Sequence, residues 1–335
     1  MTVFCLAELD GDAVADASLR ALTLARGLAA GASTTVTAVA FCAPDAAPGP
    51  DLAAYGVSDV FAVSGVDGYA PLAWARVMAG LLGAVASSPD ISRHAVVAAG
   101  TERGNEVMAH LGAITGLPMA ANCVAVSTPS SDAGSFSDAG GLEVVRQRWA
   151  GLLLEDAALD APAALLTVAT DAVAAEPAPA PGAAVVQVVS PAVSDADLVV
   201  RAAESPASVG GASLATARVV VGGGRGVGSA DGFAPLEELA GLLGGVVGVS
   251  RVVTSEGWRP HSMQVGQTGT KITPDLYLAC GISGAIQHFA GCSGAKTIIA
   301  VNTDQAAPMV TRADYAVIGD LHAVVPALIA ALRAR

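Results

Sequence analysis

The sequence predicts an α/β protein of two domains, each built on a mainly parallel sheet that is flanked by helices. Short runs rich in Val, Ile and Phe alternate with Ala- and Leu-rich runs of helical length, which is typical of βαβ units. This alternation stops in a Ser- and Pro-containing stretch and begins again near Ala217. The 335 residues are enough for two domains that each bury a core of their own.

The predicted N-terminal domain covers residues 1–190. Its predicted strands are Val3–Leu9, Thr35–Phe41, Val60–Ser64, Ala95–Ala99, Cys123–Val126, Leu142–Trp149, Ala164–Ala169 and Val185–Val189. Its predicted helices include Ala15–Ala29, Pro71–Ala86 and Asn105–Thr115. Between Leu142 and Ala169 two strand-like runs follow each other with little helix between them, which favours some antiparallel pairing there. Alternating prolines over 172–184 predict a surface loop or part of a linker.

The predicted C-terminal domain covers residues 211–335 and follows a linker at 191–210. Its first elements are the strands Val219–Val221 and Val246–Val249 and the helix Pro235–Leu243. Between Pro274 and Pro326, three apolar strands each end at a small or polar residue, and two of these ends open directly into a helix. Because the carboxyl ends of parallel strands share one edge of a sheet, free backbone N–H groups gather there, as in sites for phosphates and flat cofactors. The domain is therefore predicted to be Rossmann-like.

Charge and composition exclude several classes of function. The net charge of −13 argues against a nucleic-acid partner, because no basic patch is available to displace counterions. No apolar run approaches the roughly 20 residues of a spanning helix, so direct membrane insertion is not expected. No targeting segment is recognised before the first strand, and a cytoplasmic location is expected. The five cysteines have no metal-ligand spacing, so no metal site is expected.

A glycine cluster follows the strand Val219–Val221 and reads Gly222-Gly223-Gly224-Arg225-Gly226-Val227-Gly228. It lacks the third glycine of the dinucleotide fingerprint in every register, and Ser229-Ala230 stands where a P-loop requires Lys and Ser or Thr. These residues by themselves leave a plain turn and a phosphate loop equally open. The functional interpretation rests on Arg225, a permanent cation among residues that let the backbone approach an anion.

Three further stretches carry polar residues in apolar surroundings. They read Ser250-Arg251, then Gln264-Val265-Gly266-Gln267-Thr268-Gly269, then Gly281-Ile282-Ser283-Gly284-Ala285-Ile286-Gln287-His288. A histidine on an apolar helix, such as His288, is more often a core residue than a functional one. Gln287 beside it is unusual in so apolar a helix, and together they indicate a helix whose first turn faces a polar ligand.

Taken together, these motifs resemble the electron transfer flavoprotein alpha subunit. The resemblance covers the whole C-terminal domain with unbroken spacing and includes the downstream Ala-Asp-Tyr and Gly-Asp-Leu strings, whereas the N-terminal half is similar only in pattern. One departure lies after Ser250-Arg251. Members of the family often carry an acidic residue near Thr254, and Glu256 sits slightly off that position.

The resemblance implies that FAD is the cofactor and which residues contact it. The implied contacts are Arg225, Ser250, Arg251, Val265, Gly266, Gln267, Thr268, Ser283, Gly284, Ala285, Ile286, Gln287, His288, Asn302, Asp320 and Leu321. Ser283 and the helix that it opens would meet the pyrophosphate, and Asn302 and Asp320 would serve the adenosine. Arg251, Thr268 and His288 would lie against the isoalloxazine ring. A donor at His288 and a cation at Arg251 would stabilise the negative charge that reduction puts on the N1–C2=O side of the ring, and Thr268 would hydrogen-bond N5.

The implied function is that of an electron carrier without a substrate-converting site of its own. The resemblance implies a heterodimer with a beta subunit that carries AMP, and the N-terminal domain would pack on that subunit. It implies acyl-CoA and other flavin dehydrogenases as electron donors, as in fatty acid beta-oxidation, and a quinone oxidoreductase as the acceptor.

Two other functions are compatible with part of the pattern. A non-redox subunit that holds an adenine nucleotide would keep Arg225, Asn302 and Asp320 but has no need for His288 beside Thr268 and Arg251. A nicotinamide-dependent dehydrogenase is disfavoured by the failed glycine fingerprint. A visible flavin spectrum would separate the electron carrier from both.

Overall fold

The computed structural model describes residues 1–66, 68–86, 93–129, 141–151, 153–161, 163–202, 214–215 and 217–334. These residues form two compact units, Met1–Pro206 and Ala207–Arg335. Each unit is built on a mainly or wholly parallel sheet with helices packed against it. The predicted fold class, α/β in two domains, is confirmed.

The first unit alternates strands and helices along most of its length. Its strands are β1 Thr2–Ala7, β2 Leu9–Asp10, β3 Ala13–Val14, β4 Val36–Phe41, β5 Val57–Val63, β6 His94–Ala99, β7 Met119–Ser127, β8 Leu142–Arg148, β9 Leu153–Leu159, β10 Ala163–Val168 and β11 Val185–Val189. Its helices are α1 Asp16–Gly31, α2 Gly49–Ala54, α3 Pro71–Ala86 and α4 Glu102–Thr115. The predicted helix Asn105–Thr115 begins earlier than expected, because the Thr101 side chain caps α4 by accepting from Gly104 N.

Nine strands of this unit share one sheet in the order β11-β5-β4-β1-β6-β10-β7-β8-β9. The strands from β11 to β7 are parallel, whereas β8 is antiparallel to both β7 and β9. The expected antiparallel pairing after Leu142 is therefore confirmed. Strand β9 was not predicted, because Glu155 and Asp156 interrupt its apolar pattern. In the structure Glu155 forms an ion pair with Arg146 of β8 at 2.7 Å.

The direction in which the chain adds strands to this sheet reverses at β1. Strand β4 lies on one side of β1, and β6 lies on the other. In parallel sheets such a reversal opens a crevice at the carboxyl ends of the two strands. Here the position is occupied by Glu8, which follows β1, is 7% exposed and accepts a hydrogen bond from the Thr101 hydroxyl. Burial raises the pKa of this carboxyl above its usual range. The first unit thus has one of its own side chains at its switch point.

The predicted linker at 191–210 is only partly covered by the described residues. Residues Asp195–Leu198 form a 3-10 turn, in which Asp197 accepts hydrogen bonds from Ser194 and forms an ion pair with Arg76 of α3 at 3.3 Å. Val193 and Leu198 pack on the apolar core of the first unit. The described part of this segment therefore lies on the first unit rather than free between two domains. Residues 203–210 lie outside the described residues.

The second unit is a five-stranded parallel sheet with helices on both faces. Its strands are β12 Val219–Gly223, β13 Val246–Val249, β14 Leu276–Cys280, β15 Ile298–Asn302 and β16 Tyr315–Ile318. Its helices are α5 Ala234–Leu242, α6 Arg251–Ser255, α7 Ile286–Cys292, α8 Pro308–Arg312 and α9 Leu321–Arg333. Alternate residues of the central strands enter two separate apolar clusters, as expected for a sheet that is covered on both sides.

The described helices were also compared with the length of a bilayer. None of them, within the ranges given above, is both long enough and apolar enough to cross a membrane.

Candidate functional site

The candidate site lies at the carboxyl edge of the second sheet, where the strand order is β13-β12-β14-β15-β16. After β12 the chain adds β13 on one side and then returns to add β14 on the other. The switch point of this sheet is therefore between the carboxyl ends of β12 and β14, where ligands bind in open α/β sheets. The turns that follow the two strands begin at Gly224 and Gly281.

A cavity of about 640 Å³ lies at this edge, a volume typical of sites for small molecules and cofactors. It is lined by Arg225, Gly226, Ser250, Arg251, Val252, Ser255, Gln264, Val265, Gly266, Gln267, Thr268, Gly281, Ile282, Ser283, Gly284, Ala285, Gln287, His288, Asn302, Asp304 and Ala307. All of these residues belong to the second unit. Among the residues that the structure describes, no group of three or more His, Cys, Asp or Glu side chains could hold a metal ion.

The glycine cluster brings the turn after β12 against the turn after β14. Gly224 N donates to the Cys280 carbonyl at 2.9 Å, and Gly226 N donates to the Gly281 carbonyl at 3.1 Å. A Cβ on Gly224 would lie 2.2 Å from the Gly281 oxygen, so a side chain there would separate the two turns. Gly224 is thus explained by close packing of backbone on backbone, and Arg225 is the member of the cluster that brings charge to the cavity.

The turn from Gly281 to Ala285 offers backbone donors to the cavity. No oxygen of the described residues accepts from the N–H groups of Ser283, Gly284 or Ala285. The turn is held from behind, since the Asn302 Nδ2 donates to the Ile282 carbonyl at 3.0 Å and Met309 N donates to the Ser283 carbonyl at 3.0 Å. Unpaired N–H groups on a rigid turn can bind an anion such as phosphate.

The Gln-rich loop forms another wall of the cavity. Val265 N donates to the Val249 carbonyl at 2.9 Å, which ties the loop to β13, and Gln267 N donates to the Gln287 carbonyl at 2.7 Å, which ties it to α7. Gln267 and Thr268 are exposed, whereas the Gln264 side chain is buried behind them. The loop therefore presents polar groups to the cavity from a fixed backbone.

His288 lies on α7 with its ring 7% exposed and lines the cavity. Its Nε2 is 2.8 Å from the hydroxyl of Tyr277, and its Nδ1 is buried without a hydrogen-bond partner in the described structure. Burial lowers the pKa of His288 to about 4, so the ring is neutral at neutral pH. A neutral imidazole can donate through only one of its nitrogens. His288 is at once a core residue against Tyr277 and part of the cavity wall, which combines the two interpretations that the sequence left open.

The charged groups of the cavity are Arg225, Arg251 and Asp304. Both arginines are exposed, and in the described part of the chain neither forms an ion pair. Asp304 accepts from Ala306 N at 2.9 Å and caps the turn after β15. The cavity therefore carries an excess of uncommitted positive charge in a chain whose net charge is −13.

The structure gathers most of the predicted contacts around this cavity. Those that line it are Arg225, Ser250, Arg251, Val265, Gly266, Gln267, Thr268, Ser283, Gly284, Ala285, Gln287, His288 and Asn302. Three predicted residues do not line it. Ile286 is 49% exposed on α7, Asp320 caps α9 by accepting from His322 N, and Leu321 packs beneath Gly281.

Sequence reasoning left out several lining residues. They are Gly226, Val252, Ser255, Gln264, Gly281, Ile282, Asp304 and Ala307. Their closeness in sequence to predicted contacts could have indicated them, because most of them lie within one or two residues of such a contact. Ser255 lies between Thr254 and Glu256, where the sequence departs from the family pattern. At this departure the residue that lines the cavity is therefore a serine. Glu256 does not line the cavity.

Comparison with known proteins assigns both units. Residues 3–194 match the family model described as the electron transfer flavoprotein domain, and residues 213–293 match the one described as the electron transfer flavoprotein FAD-binding domain. The first match alone covers more than half of the chain. The chain belongs to the electron transfer flavoprotein alpha-subunit family.

Curated members of this family show how far the similarity extends. The electron transfer flavoprotein subunit alpha of Mycobacterium leprae is 40% identical over 243 residues, which is 72% of each chain. The Mycobacterium tuberculosis protein of the same name is 55% identical over 117 residues, 35% of this chain and 37% of that protein. That of Paracoccus denitrificans is 54% identical over 115 residues, 34% of this chain and 37% of its own.

The cavity residues fit the FAD that the matching electron transfer flavoprotein domain is described as binding. The free N–H groups of 283–285 and the guanidinium of Arg225 suit phosphates. The polar groups of the Gln-rich loop and the neutral ring of His288 suit the edge of a flat heterocycle. The donor set thus divides into an anion-binding part and a part for a ring.

Proposed function

We propose that this chain is the FAD-binding alpha subunit of a heterodimeric electron transfer flavoprotein and carries electrons between other flavoproteins. The observation that carries the proposal is the cavity at the switch point of the second sheet. Within the described part of the chain, its backbone N–H groups at 283–285 have no acceptor and its two arginines have no ion-pair partner. A bound flavin supplies the electron-accepting chemistry. The chain itself binds, orients and tunes that group and has no separate substrate to convert.

In this proposal the phosphates bind to Arg225 and to the turn that begins at Gly281. The N–H groups of Ser283 and Gly284 lack other acceptors among the described residues, so hydrogen bonds to phosphate oxygens would satisfy them without displacing existing bonds. Asn302 supports this turn through the Ile282 carbonyl and also lines the cavity, where the adenosine would lie. Asp320 and Leu321 would act behind the wall, by capping α9 and by supporting Gly281.

Arg251, Thr268 and His288 would border the ring. Arg251 has no ion-pair partner in the described structure, so its charge is available to stabilise negative charge near the ring. His288 would donate as a neutral imidazole, since its pKa lies near 4. If Nε2 remains with Tyr277, the donating atom is Nδ1, which has no other partner in the described structure.

The proposed partners follow from family membership. The relatives are named as alpha subunits, which supports a beta subunit as the partner. We propose in addition that this partner carries AMP and that the N-terminal domain, about residues 1–190, contacts it. Acyl-CoA and other flavin dehydrogenases are the proposed electron donors, and a quinone oxidoreductase is the proposed acceptor.

The proposal is tested by purifying the full chain together with its beta subunit. We expect a yellow complex that releases one FAD per heterodimer on denaturation and whose flavin is bleached by a reduced acyl-CoA dehydrogenase. A colourless complex that still binds adenosine phosphates would instead favour the non-redox nucleotide-binding subunit.

The role of His288 has a separate test. His288→Ala should make the first one-electron step of flavin reduction less favourable, because it removes a donor at the charge-accepting edge. Stepwise reduction potentials measured by spectroelectrochemistry would report this change. Potentials equal to those of the unaltered complex would remove His288 from the proposal.

A further inference from the structure

Thr254, Gln264 and Thr268 form a chain of hydrogen bonds at the cavity wall. The Thr254 hydroxyl lies 2.8 Å from Gln264 Oε1, and Gln264 Nε2 lies 3.0 Å from the Thr268 hydroxyl. Gln264 is 2% exposed, whereas Thr268 is exposed and lines the cavity. Thr254 lies on α6 and does not line the cavity. The buried amide therefore connects the cavity wall to a hydroxyl behind it.

The direction of this chain determines what Thr268 presents to the cavity. The amide nitrogen can only donate, so the Thr268 oxygen accepts from it and keeps its own hydrogen for another partner. No acceptor for that hydrogen is found among the described residues. In the arrangement of the structure, Thr268 is consequently a donor toward the cavity.

The chain can also run in the opposite direction. The Thr254 hydroxyl lies 2.9 Å from the Arg251 carbonyl as well, so it has a second acceptor within reach. A half-turn of the Gln264 amide would place its nitrogen against Thr254 and its oxygen against Thr268. Thr254 would then accept from Gln264 and donate to Arg251, and Thr268 would donate to Gln264. Because both ends of the amide meet hydroxyls, which donate and accept equally well, the buried amide is satisfied in either direction.

We propose that Thr254 and Gln264 are positioning residues that set the hydroxyl of Thr268 as donor or acceptor toward N5 of the bound ring. N5 of an oxidised flavin accepts a hydrogen bond, and N5 that carries hydrogen donates one. A fixed donor at Thr268 would suit only the first form, whereas the reversible chain suits both. This inference rests on the proposed function and adds to it Gln264 of the cavity wall and Thr254 behind it.

The test compares FAD with 5-deaza-FAD, which has a carbon in place of N5 and can neither accept nor donate there. On the full chain with its beta subunit, Thr254→Val keeps the shape of the side chain and removes its hydroxyl. In Thr254→Val the Gln264 amide has one hydroxyl partner left, and it should keep its nitrogen against Thr268, because a buried N–H without a partner is worse tolerated than a carbonyl without one. Thr268 would then be fixed as a donor. We therefore expect this change to weaken binding of reduced FAD, whose N5 carries hydrogen, by about threefold to tenfold, and to leave binding of reduced 5-deaza-FAD unchanged. Equal weakening of both flavins, or of neither, would overturn the proposal, since a purely structural role does not discriminate between them.

Three variants complete the design. Thr311→Val removes a hydroxyl that donates to its own helix carbonyl, that of Pro308, outside the cavity, and should not change the ratio of the two affinities. Thr254→Ser should retain the ratio of the unaltered chain. In a Thr268→Val background, Thr254→Val should have no further effect on the ratio, and a further effect would contradict action through Thr268. If Thr254→Val does not fold, Gln264→Met interrupts the same chain of hydrogen bonds, and its effect is measured by the same ratio of flavin affinities.

Failure of the proposed function has a different signature. If the unaltered complex binds neither flavin, the function itself is wrong. If it binds both and the ratio is insensitive to Thr254 and Gln264, only the positioning role is wrong. The ¹⁵N chemical shift of N5 in bound, labelled and reduced FAD offers a second readout, because loss of an acceptor for N5–H should shift this resonance in Thr254→Val and not in Thr311→Val.

Discussion

The hydroxyl of Tyr277 lies 2.8 Å from Nε2 of His288, and both side chains are buried beneath the cavity. Tyr277 belongs to β14 and His288 to α7, so the bond ties the sheet to the helix that forms one wall of the site. Because this bond engages Nε2, it also sets the orientation of the imidazole ring. The geometry of the cavity wall therefore depends on a residue that does not line the cavity.

Tyr277→Phe should lower both the stability of the second unit and the order of the His288 ring. The change removes one buried hydroxyl and leaves Nε2 without its partner, which costs about 1–3 kcal/mol. Thermal unfolding followed by circular dichroism measures the loss. Tyr315→Phe is the matched control, since Tyr315 is 66% exposed and its hydroxyl should contribute little. Equal effects of the two changes would show that the bond to His288 is not stabilising.

The buried histidine predicts a loss of stability in acid. Burial lowers the pKa of His288 from 6.5 to about 4, so the unfolded chain binds a proton more readily than the folded one. The contribution is fully present above pH 6.5 and is lost as the pH falls from 6.5 toward 4. Its size is on the order of 3 kcal/mol.

Unfolding midpoints measured across this pH range should fall less steeply for His288→Gln than for the unaltered chain. His322→Gln is the control, because His322 is an exposed residue of α9. If both variants keep the slope of the unaltered chain, the titration of His288 does not contribute to acid sensitivity.

Gly284→Ala should destabilise the second unit by more than backbone strain alone. Gly284 has a φ of +78°, and a Cβ there would lie 2.4 Å from Met309 N. Gly228 has a φ of +85° with nothing within 4 Å of its Cβ position, so Gly228→Ala measures the strain alone, about 1–2 kcal/mol. Chemical unfolding of both variants gives the difference. A cost for Gly284→Ala no larger than that for Gly228→Ala would mean that the turn moves away from Met309 easily.

Arg225→Ala should weaken retention of FAD while leaving the fold intact. A charged hydrogen bond contributes about 1.5–3 kcal/mol, which corresponds to roughly 10- to 100-fold in affinity. Fluorescence of released flavin after dilution measures retention. Arg333→Ala removes the same charge from α9, where Arg333 pairs with Glu238 at 2.9 Å, and should release no more FAD than the unaltered complex. Full retention of FAD in Arg225→Ala would show that Arg225 does not help to bind FAD and has a role only in its own turn.

The sequence predicted the parallel strands well because their apolar runs are continuous and end at turn residues. Val185–Val189 and Val246–Val249 have the predicted bounds, and the strand that begins at Val219 is longer than predicted by two residues, Gly222 and Gly223. Strand β9 was missed because Glu155 and Asp156 interrupt its apolar run, and its pairing with β8 depends on a partner strand that no local pattern reveals. Local pattern thus predicted strands whose apolar run is continuous and failed where acidic residues interrupt the run.

The candidate site was predictable to the extent that it follows from strand ends. Arg225, Ser250 and Asn302 lie at or just after the carboxyl ends of β12, β13 and β15 and converge on one cavity. The partners behind the wall were not predictable in this way. Gln264 meets Thr254 across ten residues of chain, and Tyr277 meets His288 across eleven. The first pair depends on how a loop packs on α6, and the second on how α7 packs on β14.

The first unit shows another feature that could not be predicted from the sequence. Its switch point between β1 and β6 has the same topology as that of the second unit, but none of the sequence motifs that predicted the site in the second unit occurs there. The difference is made by Glu8 and Thr101, a single pair of side chains that meets across ninety-three positions of sequence. The buried carboxyl of Glu8 thus lies at the position that corresponds to the open cavity of the second unit.

Every lining residue of the cavity falls between Arg225 and Ala307, on one side of the stretch that joins the two units. A protease that severs the chain within 203–213 would leave the whole inner surface of the pocket on a single fragment. The C-terminal fragment would then contain every residue that lines the pocket, and the amino-terminal fragment would contain none of them.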